Sequence, residues 1–491
     1  MSHRFLPRPD RSLAPIISIT ATSLLFAVLL VLVLLRWPPL ESADHDAATG
    51  LNALVANHPV LITVIKAVTS LGSTPVLVGV VALAAIFLAI RRSWRLLLFL
   101  AVSVTGAFVL DPVLKDLVGR IRPIVAHPLA HGIGRSFPSG HALNSIVCYG
   151  AILLVFLPAA KGTWRKSFKI MIISLIVLIG ISRILLGVHF VSDVLGGWAI
   201  GITWLGITSA AFELTRKASG QPVTAPAAEG LAPEERPDLR PAQPEPASGG
   251  TIRPARVAAG LVAAWVLIVG AVIGLGELVV RYGGGNVLGD RTVPHWLAAH
   301  RTPGLTQVST IFTRIGATTG ILIVAVAACV VTLAITRRWR PVSYLVVVMA
   351  GELAAFLGAA YVIKRPRPFV PHLDAHAPPT SAYPSGHTAA TCCLYVAIAI
   401  LVIGLARGWW RWLFLVPAIA LPVLVAASRL YRGEHHPTDV LGSLLLAGLW
   451  LTVTTRLIKP NLVPSASPPA KSRPHREPGL TAAAPAVRPA R

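Results

Sequence analysis

Apolar runs of membrane-spanning length recur along the chain, and they constrain its fold more than any other feature. Only 13% of the 491 residues are charged, against roughly 25% in soluble proteins. A helix of roughly 20 apolar residues crosses a bilayer and satisfies its own backbone hydrogen bonds there. We therefore predict an all-α, polytopic membrane protein with about 12 transmembrane helices. The predicted spans are residues 14–35, 73–90, 96–117, 141–159, 170–187, 191–213, 257–280, 318–336, 342–363, 387–406, 412–430 and 437–457.

The second half of the chain repeats the first. Arg122 and Arg367 are 245 residues apart, and His189 and His435 are 246 residues apart. Further pairs with nearly the same separation are Asp46 and Asp290, Gly72 and Gly316, Ser139 and Ser385, and Arg183 and Arg429. Each half has six predicted spans. Because six is an even number, the second repeat starts on the same side of the membrane as the first, and the two repeats have the same orientation. The sequence predicts two tandem six-helix bundles.

Composition divides the chain into four segments. Residues 1–214 and 257–458 contain the two predicted transmembrane domains. Between them, residues 215–256 are rich in proline, alanine, glycine and glutamate, a composition that predicts a disordered linker. Residues 459–491 are proline-rich and basic, and we predict a disordered tail near the inner leaflet of the membrane.

Clusters of basic residues predict the orientation in the membrane. The net charge of +24 comes mainly from short clusters between spans and from the tails, which indicates contact with anionic lipid head groups and not with nucleic acid. Basic loops at residues 91–95 and 161–169 are expected to face the cytoplasm. Both termini and the linker are then cytoplasmic. The alanine, arginine and proline bias is typical of a bacterium, so the predicted location is the bacterial plasma membrane.

Three polar clusters recur at the ends of predicted spans in each half. In the first half they are KDLVGRIRP at residues 115–123, PSGH at 138–141 and SRILLGVHFVSD at 182–193. Ionised groups at membrane depth cost about 2.5–3.5 kcal/mol each on insertion scales, so a group of them requires a partner of opposite charge. A phosphate would be one such partner. Each cluster alone is common, but their order and duplication indicate a functional site.

The residue types in these clusters suit phosphate chemistry. His189 and Asp193 are four residues apart and share a helical face, where a carboxylate can orient an imidazole and stabilise its cation. Arg183 offers a planar fork of donors to phosphate oxygens. Ser139 and Gly140 present a hydroxyl and backbone amides at a predicted helix N-terminus, which favours anion binding. The site also contains two further cations and a possible proton donor to a leaving group, which are Lys115, Arg122 and His141.

The pattern KX6RP, PSGH and SRX5HX3D resembles the phosphatidic acid phosphatase type 2 family, within the acid phosphatase–vanadium haloperoxidase superfamily. The resemblance covers both halves. It implies a six-helix core, a metal-independent and cofactor-free site on the extracytoplasmic side, and a phosphohistidine intermediate. By this resemblance His189 is the nucleophile, Asp193 orients it and His141 is the general acid. The residues implied to hold the phosphoryl group are Lys115, Arg122, Ser139, Gly140 and Arg183.

The second half matches most of this pattern. The corresponding catalytic residues are His435, His387 and Asp439, and the corresponding phosphate-binding residues are Arg367, Ser385, Gly386 and Arg429. Ala360 stands where the first half has Lys115, and Lys364 lies one turn further along, which leaves open whether it compensates. His436 lies beside His435 but lacks the four-residue step to Asp439. We expect the first half to carry most of the turnover.

The leading interpretation is a lipid-phosphate or lipid-diphosphate phosphatase acting at the outer leaflet. Candidate substrates are undecaprenyl or another polyprenyl diphosphate, phosphatidic acid, and phosphatidylglycerol phosphate. A phosphotransferase with the same site is one alternative, since water access decides the acceptor. A transporter is another, but it would need polar groups near the bilayer midplane, whereas these clusters lie at helix ends.

Other residues give weaker signals. The four cysteines fall inside apolar runs without metal-ligand spacing, so we expect core residues and no metal site; they are Cys148, Cys329, Cys392 and Cys393. Four histidines lie in the loops before the PSGH sequences, where solvated loop residues are expected and lining of the site is the alternative. They are His127, His131, His372 and His376.

Overall fold

The computed structural model describes residues 13–130, 132, 134–222, 224–241, 254–282, 286–374 and 381–461. Within these ranges the regular structure is helical and no β-strand occurs, which confirms the all-α prediction. The predicted tail beyond residue 461 and linker residues 242–253 lie outside the described ranges, as do His131 and His376.

Helices α1 to α9 form the first half and the folded part of the linker. They are α1 (Leu13–Leu34), α2 (Pro38–Ala56), α3 (Pro59–Ser70), α4 (Thr74–Ile90), α5 (Trp94–Val118), α6 (Gly140–Phe156), α7 (Gly162–Leu185), α8 (Val191–Ala218) and α9 (Arg236–Leu239). Proline in the first turn opens α2, α3 and α4, where its missing N–H removes no helical hydrogen bond. Gly119 ends α5 in the left-handed conformation, with φ at 65°.

Helices α10 to α17 form the second half. They are α10 (Pro254–Tyr282), α11 (Thr292–Ala299), α12 (Pro303–Gly316), α13 (Thr318–Thr336), α14 (Trp339–Ile363), α15 (Gly386–Leu405), α16 (Leu415–Tyr431) and α17 (Pro437–Ile458). Their order repeats that of α1 to α8, helix for helix. The duplication inferred from the sequence therefore includes the short helices that precede the second span of each half.

Eleven of the described helices are long and apolar enough to cross a membrane, and α3 with α4, bent by 47°, add a twelfth if they form one broken span. The chain is thus a multi-pass membrane protein. Some predicted ends were wrong. Helix α7 begins at Gly162 and not near residue 170, because Arg165, Lys166 and Lys169 in its first turns lower the hydropathy without interrupting the helix.

Helix α6 is the centre of the first half. It packs against α5, α7 and α8, and 67% of its most apolar stretch is buried. Beside it, Trp204 on α8 lies over Gly106 on α5, where a Cβ atom would be only 2.0 Å from the indole ring. In the second half Trp450 on α17 lies over Gly351 on α14 in the same way. Each indole N–H also donates to a backbone carbonyl of the facing helix.

The two halves contact each other through α4 and α13. Ala334 on α13 is fully buried in the hydrophobic core of the first half, and Leu333 packs against the same core. At the adjoining end of these helices, Arg337 donates to the carbonyls of Pro237 and Arg240. The linker thus bridges the two bundles at this contact.

The folded part of the linker corrects the prediction that residues 215–256 are disordered. Helix α8 continues to Ala218, and Leu231, which is 1% exposed, packs in the first-half core. Glu234 pairs with Arg216 at 2.6 Å, and Asp238 pairs with Arg91 at 3.2 Å. The composition is rich in proline and alanine and has no periodicity, so the sequence could not indicate that these few side chains anchor the segment.

The glycine–tryptophan contact gives a stability prediction on α14. Replacing Gly351 with alanine forces Trp450 to move, and we expect a loss of about 1–3 kcal/mol because overpacking displaces side chains from their preferred rotamers. The matched control is Gly358→Ala on the same helix, where nothing lies within 4 Å of the added Cβ. That variant should gain about 0.5–1 kcal/mol, since glycine weakens a helix interior. Denaturant unfolding in detergent micelles measures both, and equal effects would contradict the proposed packing.

Candidate active site

The predicted site residues of the first half lie together at one end of the bundle. They come from the last turns of α5 and α7, the first turns of α6 and α8, and the loops between these helices. The basic residues at 91–95 and 161–169 lie at the opposite helix ends, where α4 meets α5 and where α7 begins. The site is therefore separated from the basic loops by the length of the bundle.

A buried arginine links three of these elements. Arg120, just after α5, donates to Asp193 on α8 at 2.7 Å and to Asp44 on α2 at 2.8 Å. Asp44 also accepts from the backbone N–H of Ser192 at 3.0 Å. Asp193 further accepts from the hydroxyl of Ser136 and is fully buried. The network therefore contains one more carboxylate than guanidinium group.

Asp193 contacts His189 as predicted from their spacing. Its Oδ2 atom is 3.4 Å from Nδ1 of His189 and accepts from the backbone N–H of Phe190 at 2.9 Å, which caps α8. His189 is 1% exposed. Burial lowers the pKa of His189 to about 4, although the hydrogen bond to Asp193 acts in the opposite direction. The imidazole is therefore neutral near pH 7, with its Nδ1–H directed at Asp193 and a lone pair on Nε2.

Arg122 faces that lone pair. Its Nη1 atom is 3.1 Å from Nε2 of His189 and 2.7 Å from the carbonyl oxygen of Val188, to which it donates. The guanidinium thus lies at the imidazole nitrogen that Asp193 does not contact. An anion bound at this nitrogen would replace the contact between Arg122 and the histidine, with the guanidinium as its partner.

The other predicted phosphate-binding residues surround the same space. Arg183 is buried and donates to Thr69 on α3 at 2.9 Å, and its Nε atom has no hydrogen-bond partner among the described residues. Lys115 pairs with Asp111 at 2.9 Å. Both side chains lie against Gly140, where an added Cβ would be 2.8 Å from the lysine Nζ. Asp111 and Lys115 can approach the start of α6 this closely only because residue 140 is a glycine.

Ser139 and His141 flank this glycine. The Ser139 hydroxyl is fully buried and has no hydrogen-bond partner within the described part of the chain. His141 is partly buried and lies within electrostatic range of Arg183, His189 and Lys115. All eight predicted first-half residues thus lie close together at one end of the bundle, where they supply cationic, hydroxyl and imidazole groups.

Sequence reasoning missed several residues of the site, namely Asp44, Asp111, Arg120 and Ser136. The repeat contained a signal for two of them. Arg120 and Arg365 both precede the RP dipeptide, and Asp44 and Asp290 are 246 residues apart. The prediction paired Asp290 with Asp46, which was wrong, because Asp44 is the residue that makes the contacts of Asp290.

The second half retains the buried network. Arg365 donates to Asp439 and, at 2.6 Å, to Asp290, which also accepts from the backbone N–H of Thr438 at 3.0 Å. The remaining predicted residues of this half lie at the ends of α15 and α16 and in adjacent loops, and they are His387, Ser385, Gly386, Arg367, Arg429 and His435. The architecture of the two sites is therefore the same.

The histidine of the second half has different partners. Nδ1 of His435 contacts the carbonyl oxygen of Ala382 at 2.7 Å and is 3.8 Å from Asp439. Ala382 stands where the first half has Ser136, so it has no hydroxyl to direct at the aspartate. Nδ1 of His436 contacts the backbone oxygen of Asp290 at 2.9 Å, which makes it a structural residue and leaves His435 as the counterpart of His189.

Lys364 does not take the position of Lys115. It ends α14 in the left-handed conformation that Gly119 has in the first half, and its Nζ lies 5.4 Å from the centre of the Tyr361 ring.

His127 is exposed, as predicted for a loop residue. His372 is also exposed, with Nδ1 3.7 Å from Glu434 of the second site. No group of three or more potential metal ligands occurs among the described residues.

A protein-family model described as the PAP2 superfamily matches residues 95–217 and 321–462, more than half of the chain. Phosphatidylglycerophosphatase B of Bacillus subtilis (strain 168) is 36% identical over 165 residues, which are 33% of this chain and 79% of that protein. Undecaprenyl-diphosphatase of Sulfolobus acidocaldarius is 34% identical over 136 residues, 27% of this chain and 62% of that protein. A solved transmembrane PAP2-type phosphatidylglycerolphosphate phosphatase from Bacillus subtilis is 31% identical, with a TM-score of 0.37, and the match covers 40% of this chain and 96% of that one.

The network around Arg120 gives a prediction for the stability of the site. Arg120→Met leaves Asp44 and Asp193 buried without their shared cation, and we expect a loss of about 3–5 kcal/mol. The control is Arg135→Met in the same loop, since Arg135 is exposed and donates only to a backbone carbonyl. That variant should change stability by less than about 0.5 kcal/mol. Unfolding in micelles tests both, and an unaffected Arg120 variant would show that the network does not hold the helix ends together.

Proposed function

The chain belongs to the PAP2 superfamily, and from this premise we propose that it is a membrane lipid phosphatase whose first half transfers a phosphoryl group to His189 and then to water. The geometry at His189 carries this proposal. Nε2 faces Arg122 at 3.1 Å, while Nδ1 faces a buried carboxylate at 3.4 Å. A neutral imidazole is the form that attacks phosphorus, and the lowered pKa keeps His189 in that form near neutral pH.

The proposed reaction has two steps. Nε2 of His189 forms a bond to phosphorus while the bond from phosphorus to the leaving oxygen breaks, and His141 donates a proton to that oxygen. Water then attacks the phosphohistidine, gives its proton to His141 and releases phosphate with the neutral imidazole restored. Asp193 accepts from Nδ1–H throughout, and its charge stabilises the imidazole as phosphorus binds.

Three cations provide charge stabilisation in this proposal. Phosphoryl transfer places negative charge on the equatorial oxygens, and Arg122, Arg183 and Lys115 surround the space that these oxygens would occupy. Asp111 holds Lys115 against Gly140 before substrate arrives. Preorganised positive groups perform the role that a metal ion has in other phosphatases, and we propose that the reaction is metal-independent.

The substrate class is proposed from the relatives. Their names specify phosphatidylglycerol phosphate, undecaprenyl diphosphate and, at 29% identity, lipid A 1-phosphate. All are phosphate or diphosphate groups on a lipid. We propose that this chain acts on such a group, with undecaprenyl diphosphate, phosphatidic acid and phosphatidylglycerol phosphate as the substrates to compare. Transfer to a second lipid in place of water is the alternative outcome.

We also propose that the site faces the extracytoplasmic side of a bacterial plasma membrane, because the basic loops lie at the opposite helix ends. The prediction is made on a variant without native cysteines. Ala126→Cys, exposed beside the site, should react with an impermeant maleimide in intact cells, and Ser219→Cys at the end of α8 should react only after lysis. Labelling of residue 219 in intact cells would invert the proposed topology.

The activity prediction concerns phosphate release by the purified protein from a panel of lipid phosphates and diphosphates. We expect release that persists in EDTA and is inhibited by orthovanadate, which mimics pentacoordinate phosphorus. If EDTA abolishes activity and magnesium restores it, the metal-independent mechanism is wrong. Phosphorylated lipid products without free phosphate would identify a phosphotransferase.

The two halves are expected to differ in phosphatase activity. The second half has Ala360 at the position of Lys115 and so lacks one charge-stabilising contact. The loss of such a contact typically lowers the rate by a factor of about 10²–10³. We expect His189→Ala to remove nearly all activity of the full-length protein and His435→Ala to leave most of it. Each variant is the control for the other, because both remove a buried histidine at the same place in the fold. The reverse result would assign turnover to the second half.

A further inference from the structure

The second half contains a carboxylate that the first half lacks. Val188, which precedes His189, is apolar and 3% exposed. Its counterpart is Glu434, which precedes His435 and is fully buried. The first-half loop between Arg122 and Ser139 has no acidic residue at all, whereas the second-half loop contains Asp374. Both additional carboxylates lie next to the predicted phosphate-binding arginines.

Glu434 contacts both of these arginines. Its Oε2 atom accepts from Nη1 of Arg367 and lies 3.6 Å from Nη2 of Arg429. Its Oε1 atom is 3.7 Å from Nδ1 of His372. In the first half, the same guanidinium atom of Arg122 faces the nucleophile and a backbone carbonyl. The second half thus has an anion of its own between the two arginines.

Asp374 holds the second arginine from the other side. It accepts from Nη1 of Arg429 and, at 2.8 Å, from Nε of Arg432. The equivalent Arg183 donates to the neutral hydroxyl of Thr69. A neutral partner leaves the charge of Arg183 available to a bound anion. Arg429 instead has two carboxylates beside it, of which Asp374 is shared with Arg432 and Glu434 with Arg367.

The second site has apolar side chains beside Gly386. Phe356 and Ala360 stand where the first half has Asp111 and Lys115, and a Cβ added to Gly386 would lie 2.9 Å from the Phe356 ring. In addition, the Ser385 hydroxyl is 3.0 Å from the hydroxyl of Thr388, whereas the Ser139 hydroxyl has no partner within the described residues. The counterparts of Lys115, Arg122, Ser139 and Arg183 are thus either replaced or hydrogen-bonded within the chain.

We propose that the carboxylates of Glu434 and Asp374 occupy, in the second half, the place of a substrate phosphate on Arg367 and Arg429, so that this half is closed to phosphate monoesters and diphosphates. An entering phosphate would have to separate buried ion pairs and would then face two carboxylates at close range. The inference rests on the proposed phosphate-binding role of the equivalent arginines in the first half.

The test counts the oxyanion sites of the full-length protein. Isothermal titration of orthovanadate into wild-type protein in micelles should show one site per chain. The variant Glu434→Val/Asp374→Leu introduces apolar side chains, as the first half has at Val188 and Leu129, and it should show two sites. A double variant that still binds one vanadate would overturn the inference, as would a wild-type protein that binds two.

The reciprocal change tests the same idea in the first half. Val188→Glu places a carboxylate beside Arg122, and it should remove the vanadate site and the phosphatase activity. The control is Val188→Gln, whose side chain has the size of glutamate but no charge. This variant should keep most of the vanadate binding. Vanadate binding by Val188→Glu that matches the glutamine control would contradict the inference.

Two further measurements separate the possible failures. A wild-type protein that binds no vanadate and releases no phosphate refutes the proposed function itself. If the apolar double variant does not fold, the near-isosteric Glu434→Gln/Asp374→Asn variant is titrated in its place, and the same site counts decide. An unchanged count of one site in that variant would overturn the inference.

Discussion

The ion-pair network of Arg120 with Asp44 and Asp193 is the interaction on which the first site depends. It joins α2, the end of α5 and the start of α8, and its three side chains are between 0% and 11% exposed. Removing a charge from such a network leaves another charge buried without a partner, so the three elements are held in one arrangement. The network thereby fixes Asp193 in the position from which it contacts His189. The orientation of the histidine therefore depends on a residue more than 60 positions away in the sequence.

Much of the fold could be predicted from the sequence, because each transmembrane span requires a long apolar run. The polar clusters at the span ends also identified residues that the structure brings together. The missing information was long-range. Nothing in the sequence around Asp44 shows that its partner is Arg120. In the folded part of the linker, Glu234 pairs with Arg216, 18 residues earlier, and Asp238 pairs with Arg91, 147 residues earlier. The sequence pattern around one residue does not identify its partner in such an ion pair.

The duplication provided a second source of information that the sequence analysis used only in part. Arg120 and Arg365 recur at the same place in both halves, and their contacts with two carboxylates recur as well. The duplication does not predict the position of every side chain, as Lys364 shows. Its distance along the helix suggested a substitute for Lys115, but the structure places it at the helix end with its ammonium group over Tyr361. A shift of one turn changes the direction of a side chain as well as its height.

A comparison of the two halves distinguishes the contacts that folding requires from the groups that the proposed chemistry requires. Both keep the arginine between two aspartates and the tryptophan over a glycine, and these contacts hold helices together. They differ in the groups that face the predicted phosphate position, where Glu434 replaces Val188 and Ala360 replaces Lys115. A buried guanidinium requires an anion, and in the first half a substrate can supply it. Where the chain supplies the anion itself, the fold remains satisfied without substrate, and the second half can persist as a structural partner of the first through α4 and α13.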